Sequence, residues 1–178
     1  MAHFLGNELL FHFPQPGYCS SMLEMSAGPE RSRTAVRYRV RAMVNLANGS
    51  TLLGLGIARA GRTRLARAQG CVLIATGYRL PVPAAPAFTV GSVILTRRDT
   101  LPADSALFRH EARHATQYAW CGGLLMLPMY FAAAGASWLL SGDFGTWNVF
   151  ERQAGLADGG YASGSTWNIA GLGPAHRA

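Results

Sequence analysis

Asp104-Ser105-Ala106-Leu107-Phe108-Arg109-His110-Glu111-Ala112-Arg113-His114-Ala115-Thr116-Gln117-Tyr118-Ala119-Trp120-Cys121 is the stretch on which the reading of this chain turns. Residues four apart on a helix share one face about one turn apart, so His110 and His114 can close on a single ion while Glu111 borders the same face. Neutral imidazole nitrogen is a good ligand for Zn²⁺, and a metal-bound water still needs a positioned base, which Glu111 supplies. Helix signals surround the motif. Pro102 precedes it, Asp104 or Ser105 can cap it, alanines fill 106, 112, 115 and 119, and Gly122-Gly123 stops it. The bland alternative is a surface helix whose histidines meet only solvent or each other.

Two histidines hold zinc poorly, and a catalytic site adds a third protein ligand while keeping a position for water. Downstream of the motif the acids are Asp143, Glu151 and Asp158, and the one histidine is His176, near the C-terminus. Glu151 heads Glu151-Arg152-Gln153-Ala154 in a short helix expected over 148–158, which makes it the candidate third ligand. Asn148-Val149-Phe150-Glu151 is equally a capping box, in which Glu151 would bond back to the Asn148 backbone. Asp158, seven residues on, is a candidate acceptor for the second ring nitrogen of a ligating histidine. Gln117, Tyr118, Tyr130, Tyr161 and Arg113 are candidates to stabilise a substrate carbonyl or the site itself.

At 178 residues and 19.0 kDa the chain is long enough for one domain with its own core. Charged residues make up only 14%, about half the usual share, so the chain is either well buried or partly in contact with lipid. All 16 basic residues are arginine; 12 lie between Arg31 and Arg98, where no acid occurs. A basic region of this kind attracts phosphate, of nucleic acid or of anionic lipid, or is simply a solvated face. No specific nucleic-acid partner is expected, because the arginines have little aromatic interleaving beyond Tyr38 and match no known recognition motif. Cys19, Cys71 and Cys121 form no CxxC pair and predict no disulfide framework, so a reducing, cytoplasmic setting is the default.

Residues 1–34 are punctuated by proline and glycine and read as a loosely ordered leader. Val36 to Arg41 alternates arginine with apolar residues, as a strand or the start of a helix would. Ala42 to Ala58 is uncharged and reads as a buried helix broken near Asn48-Gly49. Cys71 to Tyr78 and Phe88 to Thr96 read as strands joined by a proline-rich loop. Trp120 to Leu140 carries no charge over 21 positions and suits a core helix, a membrane-lying or membrane-embedded helix, or a reentrant hairpin. The domain thus spans 35–161, is α+β, and is followed by a flexible tail over 162–178.

The stretch from about Asn45 to Tyr161 resembles small bacterial zincin-like proteins of the HExxH, gluzincin type. The resemblance rests on Gly77-Tyr78-Arg79, Phe88-Thr89-Val90-Gly91, His110-Glu111-x-x-His114-x-x-Gln117, Leu127-Pro128 and Asn148-x-Phe150-Glu151. It implies a minimal metallopeptidase-like α+β fold: an HExxH helix, a small sheet or hairpin, an apolar helix, and a short C-terminal helix carrying the third ligand. It further implies zinc on His110, His114 and Glu151. In zinc peptidases a strand just before the motif helix forms the edge that an extended peptide pairs with, and Val90 to Leu95 occupies that place. Ser92 departs from the asparagine that this pattern has after the glycine. Two functions follow as expectations: a zinc-dependent peptidase with Glu111 as general base and a peptide or protein substrate, or a noncatalytic membrane-associated scaffold with a structural metal and an arginine face toward anionic lipid.

Overall fold

The structure, a computed structural model, describes residues 29–83 and 85–160. Among these residues the fold is mixed α+β, with five α-helices and one four-stranded sheet: α1 Pro29–Ala47, α2 Ser50–Ala60, β1 Arg64–Ala68, β2 Val72–Thr76, β3 Ala87–Val90, β4 Val93–Thr96, α3 Ala106–Trp120, α4 Met126–Ser141 and α5 Val149–Ala154. A compact unit begins at Ala35, within α1. Pro29 to Thr34 form the opening turns of that helix, where Thr34 Oγ1 donates to the Glu30 carbonyl at 3.0 Å. The rest of the expected leader and the tail over 162–178 lie outside the described residues.

The strands run in the order β1-β2-β4-β3. β1 pairs antiparallel with β2, β2 parallel with β4, and β4 antiparallel with β3. β4 is therefore central, and all four of its residues are buried. Val93 and Leu95 enter one core cluster with Ala58 of α2, Tyr118 and Phe150, while Ile94 enters a second with Phe108 and Ala115 of α3. Strand periodicity of two makes this possible, since successive side chains leave opposite faces of the sheet.

Several expectations change here. Val36 to Arg41 is helical, and the break at Asn48-Gly49 separates two helices, with Gly49 in the left-handed region at φ 79°. Neither helix is a buried one: the Ala42 to Ala58 stretch shows water Met43, Val44, Leu46, Leu52 and Leu53 and buries only a small-residue stripe, including Ser50, Thr51, Gly54 and Ala58. That stripe lets α2 lie directly on the β3–β4 hairpin, where a Cβ at Gly54 would come 2.5 Å from the Val90 carbonyl. Phe88 to Thr96 is not one strand but two, folded at Gly91-Ser92. The strand just before the motif helix is consequently not an edge; β3 is the edge, and it packs against α3. Arg64 to Ala68, for which no strand was expected, is the other edge strand. Cys71 is disulfide-bonded and Cys121 is free, against the expectation of no disulfide.

Polar groups, not apolar ones, fasten α1 to the motif helix. Arg41 donates to the Ala112 carbonyl at 3.3 Å, to Thr116 Oγ1 at 3.2 Å and to the Gly70 carbonyl. Burial lowers the Arg41 pKa, against a smaller opposing influence of Tyr38. Fully buried Asn45 donates to the Ala115 carbonyl at 2.8 Å and to Ser92 Oγ at 3.1 Å. Ser92 thus has a structural partner at the position where the zincin-like pattern differs. Asn45→Ala removes both bonds and leaves two buried acceptors without that donor, so thermal or urea unfolding should register a loss of about 2 kcal/mol. A loss below about 0.5 kcal/mol would contradict this account of the α1–α3 joint.

Candidate metal centre

Ser105 opens α3 by accepting from the Phe108 amide at 3.1 Å, and the helix closes at Cys121, ahead of Gly122 in the left-handed region. Capping fixes the start of the helix and thereby which residues face β3 and α5. His110, Glu111, His114 and Gln117 all fall on the buried side. Asn148 caps α5 with its own side chain, accepting from Phe150 N at 3.0 Å, and its backbone N–H bonds the Gly145 carbonyl. Glu151 is therefore not engaged as a reciprocal cap. Its carboxylate turns inward to the histidines.

His110 Nε2 stands 3.0 Å from His114 Nε2 and 3.1 Å from Glu151 Oε2, and His114 Nε2 stands 3.6 Å from Glu151 Oε1. The ligand atoms of the three residues lie within 4.8 Å of one another, and all three residues are buried. The opposite edge of each ring fixes its tautomer. Gln117 Nε2 donates to the Phe150 carbonyl at 2.9 Å, which leaves Gln117 Oε1 to face His114 Nδ1 at 2.8 Å. His110 Nδ1 faces the Gly155 carbonyl at 3.1 Å. A carbonyl oxygen only accepts, so both Nδ1 atoms carry hydrogen and both neutral rings turn lone pairs toward each other and toward a carboxylate. Three converging donors of electron density in a buried space require a cation, either a proton or a metal ion, and the donor set of two imidazoles and a carboxylate suits Zn²⁺.

The electrostatics agree with that requirement. Burial works to lower the His110 pKa, but the Glu151 carboxylate, Glu111 and the Gly155 carbonyl outweigh it and leave the pKa raised. Burial works to raise the Glu151 pKa and is overcome by His110, His114 and Tyr130, so Glu151 is held well below the usual carboxylate range. Tyr130 Oη donates to Glu151 Oε1 at 2.5 Å. Glu111 is different: burial dominates and raises its pKa, against His114, Thr89 and His110. Thr89 Oγ1 lies 2.7 Å from Glu111 Oε2 and 3.1 Å from the Glu111 carbonyl, so strand β3 holds this carboxyl in place.

A cleft of about 200 Å³ opens over the cluster. His110, Glu111, His114 and Glu151 form part of its wall, together with Thr89, Tyr118, Tyr130 and the apolar side chains of Phe88, Leu107, Met126, Leu127 and Phe131. Of the other predicted residues, Gln117 supports His114 from behind. Asp158 does not meet a histidine; it accepts from Arg113 Nη1 at 2.7 Å and Arg109 Nη2 at 3.3 Å, and Arg113 chiefly lowers its pKa. Arg113, which also donates to the Ala154 carbonyl at 2.6 Å, is a strut between α3 and α5 and is not part of the cleft wall. Tyr118 is in the wall but buried in the core, and burial, with Glu111, raises its pKa. Tyr161 lies outside the described residues.

Thr89 enters the sequence reading only within Phe88-Thr89-Val90-Gly91, with no role of its own, and Gly155 and Gly159 have no site role in it. Gly155 acts through its carbonyl, which leaves no trace in residue type. Gly159 backs the His110 ring so closely that a Cβ there would come 2.6 Å from Cε1. No family model, curated protein or solved structure matches the chain.

Two outcomes follow from the geometry. Gln117→Leu keeps the volume but frees His114 Nδ1, and divalent-metal affinity measured by competition with a chelator should fall about 10- to 100-fold. Without metal, a raised His110 pKa contributes stability that is full below its ordinary value of 6.5 and is lost as pH rises through the folded value. Glu111, also raised, acts in the same direction. The depressed Glu151 pKa contributes above its ordinary value of 4.5 and is lost as pH falls. Melting temperature against pH should therefore peak at mildly acidic pH for the chelated protein and move to higher pH with Zn²⁺, because protons compete with metal for the same atoms.

Proposed function

We propose that the protein is a zinc-dependent metallopeptidase of minimal zincin-like architecture, with His110, His114 and Glu151 as metal ligands and Glu111 as general base. The observation that carries this reading is the convergence of both Nε2 lone pairs and the Glu151 carboxylate in the wall of a cleft that Glu111 also lines. Bound there, Zn²⁺ would polarise a peptide carbonyl and acidify a water molecule. Glu111 takes a proton from the attacking water and returns it to the departing amine, so that one carboxyl serves as base and then as acid. Its raised pKa suits the first half of that exchange, because a carboxylate of higher pKa takes a proton from water more readily. Thr89 keeps the carboxyl aimed, and Tyr130 keeps the Glu151 carboxylate aimed.

The rest of the cleft wall favours a peptide substrate. β3 pairs with β4 on one side only among the described strands, which leaves backbone groups on its other side for an extended chain to bond. Leu107, Met126, Leu127 and Phe131 suit an apolar side chain beside the scissile bond. A noncatalytic role with a structural metal is the contrasting reading, and Glu111 separates the two: a structural site has no use for a buried carboxyl that stands beside the ligands.

The purified protein should contain about one zinc per chain. Glu111→Gln should keep that zinc and lose about 10²- to 10⁴-fold in hydrolysis of a fluorogenic peptide library, whereas Glu151→Ala should lose the metal itself. Equal cleavage by wild type and Glu111→Gln would remove the general base from this scheme. A metal-loaded wild type that cleaves nothing would leave the structural role.

A further inference from the structure

α1 is arranged inside out. Its inward residues are polar, with Arg41 and Asn45 buried against α3, whereas Val36, Val40, Met43 and Val44 form an outward stripe exposed by 54%, 52%, 69% and 38%. Arg37 stands exposed beside that stripe. An apolar stripe bordered by arginine is the pattern of a helix lying on an anionic membrane.

α4 reaches a similar surface by another route. It has no charged residue, and its outer face carries Phe131, Trp138 and Leu139, exposed by 67%, 51% and 78%. A helix that meets water on one side carries polar residues there, and this one does not. Residues Gly123–Ser141 are long and apolar enough to cross a membrane, yet only 22% of that stretch is buried. The inner side of α4 holds Tyr130 to Glu151 and Ser137 to the Asp143 carbonyl and the Trp147 amide, which ties the helix lengthwise to a polar site and makes it lie rather than cross. Asn48, at the corner between α1 and α2, packs on Gly123 at the start of the α4 segment.

We propose that the outer faces of α1 and α4 dock the protein on the surface of an anionic phospholipid bilayer. Charge selects this occupant over a second copy of the chain. The net charge is +7, with 12 arginines and no acid between Arg31 and Arg98, so two such surfaces repel each other while an anionic lipid surface attracts both. Exposed Trp138, on the outer face of α4, supplies an amphipathic ring of the kind that settles at the headgroup level. Phe131 belongs both to the outer face of α4 and to the cleft wall, so a docked molecule presents its cleft at the lipid surface.

Flotation of the full chain with vesicles tests the proposal without reference to catalysis. The protein should float with phosphatidylcholine–phosphatidylglycerol vesicles, should float far less with phosphatidylcholine alone, and should be released by salt or alkaline carbonate. Leu139→Asp and Met43→Asp, both remote from the metal ligands, should each weaken partition about tenfold with zinc content unchanged. Brominated acyl chains should quench tryptophan emission in the wild type, a readout that needs no variant to fold. Wild type left in the aqueous fraction at low salt, equal flotation on both vesicle types, retention through carbonate as an integral protein, or a stable dimer that does not float would each overturn the idea.

Discussion

Two imidazole lone pairs and a carboxylate oxygen are held within a few ångströms of one another in a buried space, and that arrangement is unfavourable unless positive charge sits among them. The rest of the described fold is organised to keep it in place. Hydrogen bonds behind each ring prevent the histidines from rotating away, Tyr130 prevents the carboxylate from doing so, and Arg113 with Asp158 locks the short helix that bears Glu151 to the helix that bears the histidines. The sheet contributes Thr89 on the remaining side. None of these supports is itself a ligand, yet the three ligand atoms meet because the supports leave them no other orientation.

The division of labour between the carboxyls follows from their neighbours. Glu151 is surrounded by groups that favour its ionised form. At Glu111 burial outweighs the pull of His114, Thr89 and His110, which makes its proton harder to remove. Two glutamates near one pair of histidines thus acquire opposite tendencies, and it is this separation that a hydrolytic scheme with one ligand and one base requires.

Much of the centre was legible in the sequence because its information is local. A four-residue spacing on a capped helix places His110 and His114 on one face, and the scarcity of downstream acids narrows the third ligand to Glu151. The choice between ligand and cap depended on the direction of one side chain, which residue type does not encode. Asp158 was misassigned for a related reason: a carboxylate near a histidine helix is attractive as a histidine partner, but Arg109 and Arg113 on the same helix attract it more. The sheet was only partly readable. Apolar runs announced β2 and the β3–β4 region, but the reversal at Gly91-Ser92 has no turn signal stronger than one glycine. The arginine-bearing β1 lacks the alternation that marks a half-buried strand. Ala42 to Ala58 misled in the opposite sense, since an uncharged sequence suggested burial and Met43, Val44, Leu46, Leu52 and Leu53 face water.

The hairpin of β3 and β4 carries a further implication. Because side chains on a strand alternate between faces, Thr89 meets Glu111 while its neighbours Phe88 and Val90 do not; Phe88 instead stacks edge-on against Tyr78 at 5.1 Å. A single-residue slip of this edge strand along β4 would bring an apolar side chain against the Glu111 carboxyl and strip it of its hydroxyl partner. Length changes in the proline-rich connection upstream are absorbed by that loop, but an insertion between Ala87 and Val90 is not. The reading frame of one four-residue strand is therefore as much a part of this centre as the spacing of its histidines.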